Sequence, residues 1–140
     1  MRQILLFALL AASLALLSGC ALSRAKADTA EDMTDKAAYQ KISAEEAYEM
    51  MASQEVVVVD VRAREEYESG HIENAVLVPN ENIGSEMPEA LPDKEATLLI
   101  YCRSGRRSKE AAQKLLSLGY QSVYDFGGVI DWPYELVKEE

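Results

Sequence analysis

Residues Val56 to Val61 read VVVVDV, and Thr97 to Cys102 read TLLIYC. Neither run alternates apolar with polar side chains, so neither suits a strand with one face in water. Runs of this kind are strands covered on both faces, and parallel sheets are where such strands occur. The rest of the chain must then supply helices for both faces. Ser43 to Met51 (SAEEAYEMM) opens with Ser43 and Glu46 at capping-box spacing, which predicts a helix. Ser108 to Tyr120 (SKEAAQKLLSLGY) carries Ala111, Ala112, Leu115, Leu116 and Leu118 at helical spacing, and Gly119 ends it. Two shorter strands are predicted at Ala75 to Pro79 and Ser122 to Phe126. Alternating strands and helices in 140 residues make one small α/β sandwich, with no room for a second domain.

Cys102 closes the second buried run, and Ser108 is expected to begin the next helix. The residues between them, RSGRR, therefore form a strand-to-helix loop at the C-terminal edge of the sheet, where α/β sheets bind ligands. Gly105 relieves the tight turn. Successive backbone N–H groups in such a loop can converge as an anion nest beside a helix N-terminus. Arg103, Arg106 and Arg107 add positive charge, in a chain with 14 Lys and Arg against 24 Asp and Glu and a formal net charge of -10. That acidity disfavours nucleic-acid binding, so the basic cluster is a local device that favours thiolate over thiol at Cys102.

The N-terminus reads as a targeting segment. Arg2 precedes an apolar stretch from Ile4 to Leu17, too short to span a bilayer comfortably, and LSGC (Leu17 to Cys20) follows. These four residues resemble the bacterial lipobox, in which cleavage precedes a cysteine that is then acylated. The resemblance implies a signal peptide over residues 1–19, lipidation of Cys20, and a bacterial cell-envelope protein anchored on the extracytoplasmic side of a membrane. Residues 20–38 read as the lipidated cysteine and a flexible tether, with a root-mean-square reach of about 20 to 25 Å. The chain has two cysteines. With Cys20 used for lipid, Cys102 has no partner for an internal disulfide, so it is either buried and inert or kept for reaction. One histidine and one available cysteine fall short of a metal cage.

From residue 39 to 140 the sequence resembles the rhodanese-like domain family of sulfurtransferases. Three separated motifs carry the resemblance: DVRAREEYESGHIENAV (Asp60 to Val76), CRSGRRS (Cys102 to Ser108) and GGVIDW (Gly127 to Trp132). The resemblance implies a five-stranded, mainly parallel sheet with helices on both faces. It makes Cys102 the nucleophile that carries sulfane sulfur as a persulfide, from a donor such as thiosulfate to a thiol or cyanide acceptor. Arg103, Ser104, Gly105, Arg106 and Arg107 would form the substrate cradle, with Arg107 the least direct contact. Asp60 and Arg62 become a structural ion pair, His71 a packing or backbone-bonding residue, and Gly70 a turn. Gly127 and Gly128 let the chain pass close beneath the loop, and Trp132 belongs to the core. No cofactor is implied, and the expected partners are a small sulfur-containing anion and a thiol acceptor, for a monomer. Two alternatives stay open: a non-catalytic rhodanese-like binding module, and a cysteine phosphatase or arsenate-reductase-like enzyme. A phosphatase cradle needs five residues between cysteine and arginine, and here that position holds Ser108.

Overall fold

A computed structural model describes residues 37–139. The predicted signal peptide, Cys20 and most of the predicted tether lie outside the described residues. Five strands form one sheet: β1 (Gln40–Lys41), β2 (Val57–Asp60), β3 (Val76–Leu77), β4 (Thr97–Cys102) and β5 (Ser122–Gly128). Their order is β1-β5-β4-β2-β3, and every ladder between them is parallel. β4 sits at the centre, between β2 and β5, as its unbroken apolar run requires. Among the described residues three α-helices flank the sheet: α1 (Ala44–Ser53), α2 (Arg64–Ser69) and α3 (Arg106–Ser117).

The period of two along β4 divides the core. Leu98, Ile100 and Cys102 point to one side, where Ala111, Ala112 and Leu115 of α3 pack with Val59, Val61 and Tyr120. Leu99 and Tyr101 point to the other, where Ala47 of α1, Ile72, Phe126 and Trp132 cover them. Both faces are thereby removed from water, and each fully buried leucine or isoleucine contributes about 1.5 to 3 kcal/mol through that transfer.

Several elements differ from the sequence reading. The capping box forms as expected, with Ser43 Oγ accepting from the Glu46 N–H at 3.1 Å and the Glu46 carboxylate accepting from the Ser43 N–H at 2.7 Å. Helix α3, however, begins at Arg106 rather than Ser108, because Gly105 adopts a left-handed conformation (φ 98°) and caps the helix with its backbone. It ends at Ser117, with Leu118 as its cap and Gly119 at φ 94°. The strand expected over Ala75 to Pro79 contracts to two residues, while β5 runs on to Gly128. Strand β1 and helix α2 had no counterpart in the sequence reading.

Candidate functional site

The sheet delivers Cys102 to the end of its central strand, and the chain turns at once into α3. In that turn the Gly105 N–H donates to Cys102 Sγ at 3.1 Å. Ser108 stands at the third position of α3, where a helix has N–H groups without an internal acceptor. Burial pushes the Cys102 thiol up. The N–H and hydroxyl of Ser108, with the N–H groups of Gly105 and Ser104, outweigh that effect and leave its pKa below the ordinary thiol value. Backbone amides therefore lead the stabilisation of the anion, ahead of the arginines. Cys102 is almost wholly covered (1% exposed).

The three loop arginines are used differently. Arg103 and Arg106 are exposed, and among the described residues neither forms an ion pair. Arg107 donates from both terminal nitrogens to Glu66 of α2, at 2.6 and 2.8 Å. This bidentate pair takes Glu66 down to about 2, with a further N–H bond from Ala63 acting in the same direction. Arg107 thus fastens the first turn of α3 to α2, while Arg103 and Arg106 stay exposed beside the cysteine.

The loop rests on the end of β5. A Cβ on Gly128 would lie 2.6 Å from Ser104 Cα and closer still to the Arg103 carbonyl oxygen, so only glycine fits there. The Ile130 N–H then donates to that same oxygen at 3.2 Å. Gly127 lies under Gly105, whose Cβ position is 3.6 Å from Gly127 Cα.

The residues of the first motif stand behind the loop. Asp60 (0% exposed) and Arg62 (5%) form a buried pair, with Arg62 donating to both carboxylate oxygens at 2.6 to 3.0 Å and to the Gly70 carbonyl at 2.8 Å. This pair ties the end of β2 to the segment after α2. His71 stacks on Tyr67 at 3.7 Å, its Nδ1 lies 3.0 Å from the Tyr67 carbonyl, and its backbone pairs with Val137. Its ring contacts are with α2. Trp132 packs with Phe126 in the core on the α1 side. A groove of about 460 Å³ lined by Tyr48, Met51, Trp132 and Tyr134 also lies on that side and includes no residue of the loop, so its size says nothing about the cysteine chemistry. Among the described residues no cluster of His, Cys, Asp or Glu is arranged to hold a metal ion.

The sequence reading missed Asp125. Its buried carboxylate accepts from Ser108 Oγ at 2.7 Å, from the Gly127 N–H at 2.9 Å and from the Tyr39 hydroxyl at 2.6 Å. The available signal was a lone acid inside the apolar strand SVYDF. Such an acid must find donors or pay a large desolvation cost.

A parallel α/β domain with a single cysteine set in an amide cradle at the end of its central strand is the class that this geometry defines. The chain belongs to the rhodanese-like domain family, whose model matches residues 43–133. Among solved structures it is similar to a rhodanese from E. coli determined with anions, at 33% identity and a TM-score of 0.56, covering 61% of this chain and 100% of that one. It is also similar to a human single-domain sulfurtransferase, at 30% identity and a TM-score of 0.59, covering 66% of this chain and 93% of that one. Among curated proteins it is 36% identical over 124 residues to a tRNA uridine(34) hydroxylase of Hamiltonella defensa, covering 84% of this chain and 35% of the relative. The chain thus spans about a third of the length of that relative.

Proposed function

We propose that the protein is a sulfurtransferase that carries sulfane sulfur on Cys102. The observation that carries this reading is the cradle itself: a thiol with its pKa lowered by converging N–H groups, at the mouth of a loop with two exposed arginines. The Cys102 thiolate attacks the outer sulfur of a donor such as thiosulfate, the S–S bond of the donor breaks, and sulfite leaves with the bonding pair. The product, Cys-S-S⁻, is again an anion, so the same N–H groups serve before and after transfer. Attack by a thiol or cyanide on the outer sulfur then returns the Cys102 thiolate. Arg103 and Arg106 meet the oxyanion of the donor in the planar, two-pronged way that guanidinium groups allow.

The length of the loop supports this chemistry over phosphoryl transfer, because Arg107 is one residue short of the phosphatase spacing and is held by Glu66. The activity named for the tRNA-modifying relatives draws no support from electrostatics, since a chain of net charge -10 offers a polyanion no general attraction. Steady-state kinetics with thiosulfate and cyanide test the reading. Parallel double-reciprocal lines, with thiocyanate formed by wild type and none by Cys102→Ser, are expected. Intersecting lines, or turnover by Cys102→Ser, would contradict a carrier on this cysteine.

The site of action in this reading is the bacterial cell envelope, through lipid on Cys20, with the domain acting as a monomer on small sulfur anions and thiols. The apolar segment followed by LSGC supports it. Labelling with a fatty-acid analogue should mark the wild-type protein and not Cys20→Ser; equal labelling of both would end this part of the proposal.

A further inference from the structure

The groove on the α1 side has no part in sulfur transfer, and its lining is unlike that of the cysteine loop. Its floor is apolar, because the lining residues Val58, Ile72 and Trp132 are all buried. Tyr48 of α1 and Tyr134 supply an aromatic wall. Their rings stack at 3.9 Å with 18° between planes, and Trp132 meets Tyr48 and Tyr134 edge to face at 6.1 and 5.0 Å. Stacking covers one face of each tyrosine. Tyr48 nevertheless stays 46% exposed and Tyr134 37%, so the outer faces and edges of the pair are open.

The polar side of the groove is acidic. Glu73 and Glu135 line it, both are exposed, and among the described residues neither forms an ion pair. Among the described residues no lysine or arginine lines the groove. Aromatic faces carry partial negative charge, and the two carboxylates add formal charge of the same sign, so the groove favours a cation. The floor then selects among cations. An ammonium with N–H groups would give up hydrogen bonds to water on entering, and the side chains of the floor offer no acceptor in return. A quaternary ammonium has no N–H to leave unsatisfied, and its methyl groups suit the apolar lining. The volume, about 460 Å³, lies in the range of small-molecule sites.

We propose that this groove binds a small, free quaternary ammonium compound, with the cation against the rings of Tyr48 and Tyr134 and its counter-charge on Glu73 and Glu135. Binding is reversible and changes no covalent bond. It does not depend on Cys102, because no residue of the cysteine loop lines the groove.

The test uses the full chain, with choline as the probe. Trp132 is the only tryptophan in the sequence, so its fluorescence reports on the groove, and saturation-transfer NMR of the choline methyl protons gives a second readout. Choline chloride is titrated against sodium chloride of equal ionic strength. A saturable change with a Kd of about 1 mM or tighter is expected. The neutral isostere, with a tert-butyl group in place of trimethylammonium, should bind about fivefold more weakly or worse, as should Nα-acetyl-lysine amide. Tyr48→Leu and Tyr134→Leu keep an apolar side chain and remove a ring, and each should weaken choline about fivefold. Glu73→Gln combined with Glu135→Gln should weaken it about threefold or more at low salt and flatten its salt dependence. The pH half-point for alkylation of Cys102 by iodoacetamide should be the same in all these variants, which establishes that each is folded. No saturation by about 50 mM choline in either readout, equal affinity for the isostere, or unchanged affinity in both tyrosine variants would overturn the inference. Tighter binding of Nα-acetyl-lysine amide would overturn it in favour of a lysine on a protein partner. Binding to phosphatidylcholine vesicles without binding of free choline would overturn it in favour of a lipid surface.

Discussion

Gly128→Ala tests whether the floor under the loop sets its chemistry. The new Cβ would lie 2.6 Å from Ser104 Cα, where ordinary contact begins near 3.4 Å, so the segment must retreat by about 0.8 Å, and further where the Arg103 carbonyl is met. Neither neighbour is the free end of a flexible side chain; both are backbone of the cradle. The Gly105 N–H stands 3.1 Å from Sγ, and a retreat of that size takes it past the range of a strong hydrogen bond to sulfur. A misplacement of about 1 Å can cost about 10²-fold in rate. Loss of one hydrogen bond to a charged group, about 1.5 to 3 kcal/mol, leads to a similar figure. We therefore expect kcat/KM for thiosulfate:cyanide transfer to fall about 10²-fold, with the alkylation half-point of Cys102 moved upward. Gly84→Ala is the control, because nothing lies within 4 Å of its Cβ position. If Gly128→Ala kept its rate within a factor of about three of Gly84→Ala, close packing of β5 beneath the loop would not be what holds the cradle.

Arg103→Ala and Arg106→Ala should each lower kcat/KM for thiosulfate by about 10- to 150-fold, the equivalent of one charge-assisted contact, and the loss should shrink as salt rises. Wild-type kinetics in both variants would remove anion binding as their purpose. Glu66→Gln should cost about 1 to 2 kcal/mol in urea unfolding at neutral pH, a figure reduced for the partial exposure of the pair with Arg107. Because the folded pKa of Glu66 is depressed to about 2 from 4.5, this stabilisation is complete above pH 4.5 and fades as pH falls towards 2. A wild-type to Glu66→Gln difference that grew on acidification would refute the assignment.

What could be read from the sequence was what burial writes into composition. VVVVDV and TLLIYC announce central strands because both faces are covered, and the β4 bounds coincide with the predicted run from Thr97 to Cys102. The cysteine loop announced itself by concentrating arginine in an acidic chain. Strand β1 is invisible by the same logic, since Gln40 and Lys41 are exposed edge residues with no apolar pattern. Helix α2 (REEYES) has no buried residue and is held by Tyr67, whose hydroxyl donates to the Ala75 carbonyl, and by the Glu66 to Arg107 pair. That pair joins residues 41 positions apart, and the bond of Ser108 to Asp125 spans 17, so only the folded sheet brings either about. The early start of α3 follows from a backbone cap at Gly105, which leaves no side-chain signature of the kind Ser43 provides.

The central claim is that Cys102 holds one transferable sulfur, and intact-mass spectrometry of the purified chain tests it most directly. Treated with thiosulfate and freed of small thiols, wild type should gain the mass of one sulfur atom, keep it until cyanide or a dithiol is added, and then lose it, while Cys102→Ser gains nothing. A wild-type protein whose mass is unchanged by thiosulfate and by other sulfane donors, or a Cys102→Ser protein that gains the same sulfur, would contradict the account.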